Sequence, residues 1–503
     1  MVRTRTSAGP AAAVAVALGA LAALLPAAAV AASAAAPDAA PANSPADAGQ
    51  YQPAKDAEPV EGAESSAGGE ELAAGKTYTD SIGPDDKLWY SVTLDAKSNA
   101  WISAVAAPKP GTKVAYDDGI ELSLESKGGD QCSSSDADFD ADGAARPIAN
   151  NVWRVVQPDG YCQEAGVYNL TVTRVGDSTS SPEEWPLELR FMQEPPLAKA
   201  GPTTPPDPES IPTRQPPPPT GTAEPRKGGT GFNDAVGIGH GVWTDKIRPG
   251  ATHFYRVPLD WGQQLFLQTE FGTTRVADDT AYASNGVRVD FYNPARGFIA
   301  GVSETYYGDD PAAIPALSPP VAYENRYAVY GGDFGEFGNV GFAGWYYIAV
   351  SVTEEVGEFA DGPVPVELRT TVKGDPKEGP EYAGDAEAAG FAVTDEDRDM
   401  AHEGTPADED GGGAGAGKKI LAVAGIGAGV LLLAGLGLWM VLARRRTAPG
   451  AGVGPQVAGE DTQTAPGAYP GGPQQGLPYG AQHGGQPYGE GHPPPPPQQN
   501  RRQ

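Results

Sequence analysis

Two stretches 165 residues apart share one pattern: TDSIGPDDKLWYSVTLD at Thr79–Asp95 and TDKIRPGATHFYRVPLD at Thr244–Asp260. Ile82, Pro84, Trp89, Tyr90, Val92, Leu94 and Asp95 recur as Ile247, Pro249, Phe254, Tyr255, Val257, Leu259 and Asp260. After a Pro-containing turn, both copies alternate apolar and polar residues with the period of a β-strand. A second pair follows in the same order: GVYNLTVTRV (Gly166–Val175) with GWYYIAVSVT (Gly344–Thr353), then WPLELRF (Trp185–Phe191) with VPVELRT (Val364–Thr370). The offset grows by 13 residues between the first pair and the Gly166/Gly344 match, as loops of different length on a common strand framework would produce. Such a chain has to fold one unit twice.

The repeated segments are short, rich in Val, Ile, Thr and aromatics, and interrupted by Gly, Pro and Asp, which favours strands over helices. In the first copy, strands are predicted over Thr77–Ile82, Leu88–Leu94, Ala100–Ala106, Ile120–Ser126, Asn151–Val156, Gly166–Val175 and Pro186–Phe191. In the second they are predicted over Val242–Ile247, His253–Pro258, Gln264–Glu270, Val287–Tyr292, Arg326–Tyr330, Trp345–Val352 and Val364–Val372. Seven or so strands can enclose an apolar layer between two sheets. The fold class is therefore all-β: two tandem jelly-roll-like β-sandwiches at 70–195 and 228–374. Proline-rich residues 196–227 read as an extended linker that spaces the two cores without joining them.

In IGPDDKLWYSVTLDAKSNAWISAV, IELSLES and AGVYNLTVTRV of the first copy, and IRPGATHFYRVPLDWGQQLFLQTEF, VRVDFYNP and AGWYYIAVSV of the second, the chain resembles bacterial pre-peptidase C-terminal domains. These are extracellular jelly-roll-like sandwiches attached to secreted proteases and other surface proteins. The shared motifs mark strands and turns rather than a catalytic set. The resemblance implies an accessory or adhesion-like module serving folding, surface placement or macromolecular binding. The Ala/Gly/Pro-rich composition is also similar to that of actinobacterial single-pass membrane proteins.

Residues outside the sandwiches carry topology signals. Arg3 and Arg5 precede an Ala/Leu/Val run ending in small residues, so 1–36 reads as an export signal, followed by a disordered linker at 37–69. Ile420–Ala443 is an uncharged apolar run long enough to span a bilayer as a helix, and Arg444, Arg445 and Arg446 follow it. With its basic flanks the segment covers 418–446. The expected arrangement is type I and single-pass in the cell membrane, with the folded domains outside. Residues 375–417, rich in Gly, Ala, Asp and Glu, read as a flexible acidic stalk, and 447–503 as a disordered cytoplasmic tail whose prolines could dock a protein partner. A formal net charge of -30 argues against nucleic-acid binding.

Chemistry is sparse. Cys132 and Cys162, the only cysteines, both lie in the first exported domain and fit one disulfide. Asp136, Asp138, Asp140 and Asp142 alternate in CSSSDADFDADG. Asp138–Gly143 matches the opening of a calcium loop, but Ala149 occupies the position of the distal bidentate Glu, so a calcium site and a solvated acidic loop both remain open. His240 and His253, near Asp234 and Asp245, are the only histidines of the folded units, and Leu88 fills the slot of His253 in the first copy. G-x-S-x-G, H-E-x-x-H, the phosphate loop and the dinucleotide fingerprint do not occur, so catalysis has no motif support. Trp89, Tyr90, Phe254, Tyr255, Trp345 and Tyr347 would form a binding surface if exposed, but their recurrence at equivalent repeat positions favours core packing. The leading expectation is an envelope protein that binds or scaffolds a protein or cell-wall polymer. Its alternatives are a structural spacer and an envelope polymer-processing enzyme or accessory subunit.

Overall fold

A computed structural model describes residues 49–140, 143–157, 160–207, 211–276, 280–328 and 338–408. The segments expected to be an export signal (1–36), a membrane span (418–446) and a cytoplasmic tail (447–503) lie outside the described residues. Among the described residues no helix is long and apolar enough to cross a membrane.

The first domain contains β1 (Glu58–Pro59), β2 (Glu70–Leu72), β3 (Thr77–Ile82), β4 (Lys87–Leu94), β5 (Asn99–Ala106), β6 (Gly119–Ser126), β7 (Gln131–Asp138), β8 (Ile148–Arg154), β9 (Gly166–Val175) and β10 (Trp185–Glu194). The second contains β11 (Glu224–Pro225), β12 (Val236–Gly237), β13 (Gly241–Ile247), β14 (Thr252–Leu259), β15 (Gln264–Phe271), β16 (Arg275–Val276), β17 (Ala283–Tyr292), β18 (Phe298–Tyr306), β19 (Ala312–Leu317), β20 (Gly344–Val352), β21 (Ala360–Asp361) and β22 (Val364–Lys373). Sheet order is β1-β3-β10-β5-β8 and β2-β4-β9-β6-β7 in the first domain, and β11-β13-β22-β15-β19 and β12-β14-β20-β17-β18 in the second. The two topologies correspond strand for strand once the small β16–β21 pair is set aside. The duplication legible in short motifs therefore extends through both sandwiches.

The repeated Pro turn shows how sequence sets this geometry. Asp86 N donates to Gly83 O and Ala251 N to Arg248 O, closing equivalent turns around Pro84 and Pro249. The residue after each proline takes a left-handed conformation: Asp85 with φ 61 and Gly250 with φ 80. Proline presets the first central position, and glycine or a short polar side chain tolerates the second. Behind the turn, Tyr90, Val92 and Leu94 face one core, and Tyr255, Val257 and Leu259 face the other. Each such aliphatic side chain contributes about 1.5–3 kcal/mol by leaving water.

The two sandwiches are stacked and fall within one compact unit. On β5, Ile102, Ala104 and Ala106 join the core of the first domain, whereas Trp101 and Val105 join clusters containing second-domain residues. On β20, Tyr346, Ile348 and Val350 face the second core, while Tyr347 and Ala349 meet Val105, Ala107 and Ala149. All eight residues of β5 are buried, as are all of β20 except half-buried Trp345. Strands covered on both faces lose the alternation of a half-exposed sheet. The β1-β3-β10-β5-β8 sheet is thus packed on the β12-β14-β20-β17-β18 sheet, giving four β-layers.

Several expectations change. Residues 196–227 are not a free spacer: Leu197 bridges to Tyr382, and Pro212 O accepts from Gln264 Nε2 at 2.7 Å. The described part of 37–69 supplies β1 and the buried Tyr51, and Ala54 N donates to Glu188. Residues 375–408, read as stalk, include α1 (Asp395–Glu403) and the fully buried Phe391. Thr394 caps α1, accepting from Asp397 N, and Gly404 ends it in the left-handed conformation. Acidity misled here because the apolar anchors are single residues rather than a periodic run. The strand expected at Arg326–Tyr330 is instead a 3-10 turn over Tyr323–Tyr327, with residues 329 and 330 outside the described set. Three of the longer strands went unrecognised, along with the two- and three-residue ones: β7, whose Ser and Asp residues mimic a loop, and β18 and β19, which have no motif match in the first copy.

Candidate binding surface

Of the six aromatics that would make a binding surface only if exposed, four take the favoured core role. Tyr90, Phe254, Tyr255 and Tyr347 are buried. Tyr90 donates its hydroxyl to Asp80 at 2.7 Å and Tyr255 to Asp245 at 2.6 Å, tying β4 to β3 and β14 to β13 across each sandwich. Burial first, and the carboxylate second, push both phenols above their ordinary value. Phe254 and Tyr347 pack against Phe232 at centroid distances of 5.0 and 5.1 Å in the seam between domains. Trp89 and Trp345 are half-buried. Lys87 lies 4.7 Å over the Trp89 ring and Arg256 4.0 Å over Trp345, whose Nε1 donates to Asp397.

His253 Nδ1 lies 2.6 Å from Asp245 Oδ2, which also accepts from Tyr255 and from Gly228 N. Burial raises the Asp245 carboxyl, but these hydrogen bonds outweigh it and hold the group below the ordinary carboxylate range. In the first domain Asp80 accepts from Tyr90 and Gly62 N in the same way, with Leu88 in place of histidine. A cluster repeated without its histidine is an inter-sheet tie first.

Cys132 and Cys162 are disulfide-bonded, joining the start of edge strand β7 to the loop before β9, with Cα atoms 5.6 Å apart. Asp136 and Asp138 are exposed on β7. Asp138 accepts from Asp140 N, and although the residue is exposed, partial desolvation of its carboxyl, with the charges of Asp140 and Asp136 nearby, raises its pKa. Asp140 turns away from its neighbours and pairs with Arg288 of the second domain at 3.1 Å. Asp142 lies outside the described residues, and among the described residues no three His, Cys, Asp or Glu side chains gather to hold a metal. Repulsion within the acidic run is relieved by solvent and by an arginine.

That arginine belongs to a set of buried inter-domain ion pairs that sequence reading missed. Glu188 pairs with Arg296, and both side chains are 1% exposed. Glu194 receives Arg326 through two bonds of 2.7 and 3.0 Å and also accepts from Asn99 and Tyr382. Arg146 lies 3.5 Å from Asp290, which also accepts from Arg288 Nε. Multiple partners on each carboxylate offset its desolvation and fix one register of the stack. The readable signal was the parity of β10: Glu188, Met192 and Glu194 share one face, opposite Leu187, Leu189 and Phe191.

What remains open is a cleft of about 400 Å³ at one end of the second domain, lined by Thr280, Ala281, Tyr282, Glu355, Glu358 and Phe359. Tyr282 immediately precedes β17 and Tyr307 immediately follows β18, where Ala283 pairs with Tyr306, so the open end of that hairpin presents both rings. They lie 5.6 Å apart and are 57% and 49% exposed. Glu355 and Glu358 stand on a 3-10 turn over Glu354–Glu358, pinned by the fully buried Val356. A Cβ on Gly111 of the first domain would lie 3.0 Å from Glu354, so the turn borders the inter-domain seam. Rigid aromatic faces beside fixed carboxylates can bind cations or hydroxylated ligands.

No family model matches the chain, and no curated protein matches it. Among solved structures, the chain is similar to the pre-peptidase C-terminal domain of collagenase from Bacillus anthracis: 16% identity over 24% of this chain and 93% of that one, TM-score 0.16. It is also similar to the CBM22-1-CBM22-2 tandem domain of Xyn10C from Paenibacillus barcinonensis, at 10% identity over 60% of this chain and 93% of that one, TM-score 0.16. A third likeness is to the M60 catalytic domain with CBM51-1 and CBM51-2 of ZmpB from Clostridium perfringens, at 7% identity over 59% and 34%, TM-score 0.15. At these TM-scores none of the three likenesses bears on activity.

Proposed function

We propose that this chain is an extracytoplasmic binding or scaffolding protein of the cell envelope, held at the membrane by Ile420–Ala443, with its paired sandwiches outside and its tail inside. The observation that carries the reading is the pairing of two exposed rings, Tyr282 and Tyr307, beside a carboxylate-lined cleft; Tyr116 and Tyr161 are exposed as well but do not line it. A passive spacer has no need to hold two large rings in water. Export residues and an apolar segment followed by three arginines support the topology. A photo-crosslinking residue at position 307 in native membranes, with one at exposed Lys87 for comparison, tests the reading. Capture of one discrete envelope partner from position 307 and none from position 87 is expected. Equal, diffuse capture from both would favour a spacer.

A further inference from the structure

We infer that the cleft lined by Tyr282, Glu355 and Glu358, with Tyr307 beside Tyr282 at its margin, takes a basic polypeptide segment in extended conformation, with Lys or Arg side chains on one face. The inference rests on the binding role proposed above and names its ligand class.

The cleft is built for cations. Its two side-chain carboxylates, Glu355 and Glu358, are exposed and lie three residues apart on a 3-10 turn, where side chains at that spacing align. A rise of about 2 Å per residue separates them by roughly 6 Å. Alternate residues of an extended strand are spaced by about 6.6 Å, so two basic side chains at i and i+2 match both carboxylates. Tyr282 and Tyr307 supply adjacent ring faces, which attract ammonium and guanidinium groups. Asp309 and Asp310 are exposed just beyond Tyr307 in the chain and add negative charge on that side. Arg275, opposite Asp361 on the β16–β21 pair, offsets part of it. A neutral glycan could use the rings and donate its hydroxyls to the carboxylates, but only a cationic ligand also gains from their paired charge, and an acidic polymer would be repelled.

The test uses the full chain in detergent or nanodiscs and a fluorescent peptide of alternating Lys and Ser. Tyr282→Ala/Tyr307→Ala, which keeps every charge, should weaken binding about tenfold, the loss of two exposed cation–π contacts. Tyr282→Phe/Tyr307→Phe should restore it. Glu355→Gln/Glu358→Gln should weaken binding at least as much, whereas Asp136→Asn/Asp138→Asn, an equal charge change on exposed β7, should leave it unchanged. Equal weakening by the two carboxylate pairs would overturn the inference by reducing it to attraction between a polycation and an acidic protein. Binding of a neutral oligosaccharide that needs the tyrosines but not the glutamates would overturn it in favour of a glycan. If crosslinks from position 307 persist while the peptide ignores the cleft, the ligand class is wrong and the binding role stands; if they vanish too, both fall.

Discussion

The triplet Glu-Leu-Arg occurs at equivalent positions of the two domains, on β10 as Glu188-Leu189-Arg190 and on β22 as Glu367-Leu368-Arg369. On β22, Glu367 and Arg369 pair with each other, 27% and 29% exposed, on the outer face of the stack. On β10, Glu188 reaches across to Arg296 of the other domain and is sealed from water. Identical local sequence in the same topological slot serves two purposes because only one copy of this sheet is covered. The stack is head-to-tail: a β10-type sheet meets a β20-type sheet, leaving the β22 and β9 sheets facing outward. What separates the two copies is the layer outside the sandwich rather than the sandwich itself.

Breaking the covered copy should cost most. Glu194→Ala strands Arg326 in a buried site and should destabilise the protein by about 3–5 kcal/mol, read from the urea midpoint. Removing the disulfide with Cys132→Ser/Cys162→Ser touches only the first domain and should cost about 2–4 kcal/mol, because a 30-residue loop is freed in the unfolded chain. A domain-one probe such as Trp185 fluorescence should show whether that loss is shared by its neighbour.

Smaller effects sharpen the comparison further. The Asp245 carboxyl is depressed in the folded state, so its contribution is present above the unfolded value of about 3.9 and is lost as pH falls through the folded pKa. His253→Leu gives the second domain the residue of the first and should shrink this acid-dependent loss, measured as the urea midpoint between neutral pH and the acid limb. Glu367→Ala breaks the exposed version of the Glu-Leu-Arg pair and should cost less than about 1 kcal/mol in the same urea experiment.

The sandwiches were legible in the sequence because strand alternation and turn chemistry are local. Gly166–Val175 was predicted with the bounds of β9, and the turns at Pro84 and Pro249 announced themselves. The stack was not legible, because it depends on residues far apart. Glu194 meets Arg326 across 132 positions, and Arg326 lies in a segment whose aromatics suggested a strand. The unbroken apolar run WYYIAV in β20 was the available clue, since a strand buried on one face has no reason to be apolar on both. Repetition marked Tyr90 and Tyr255 as structural, and they are inter-sheet ties, whereas Tyr282 and Tyr307 lie outside the repeated motifs and drew no notice.

Calorimetry of residues 49–408, with Trp185 and Trp243 reporting on the two domains, tests most directly whether the four layers are one body. The account predicts a single cooperative transition seen alike by both tryptophans, lowered as a whole by Glu194→Ala. Two separate transitions, with Glu194→Ala moving neither or only one, would contradict it.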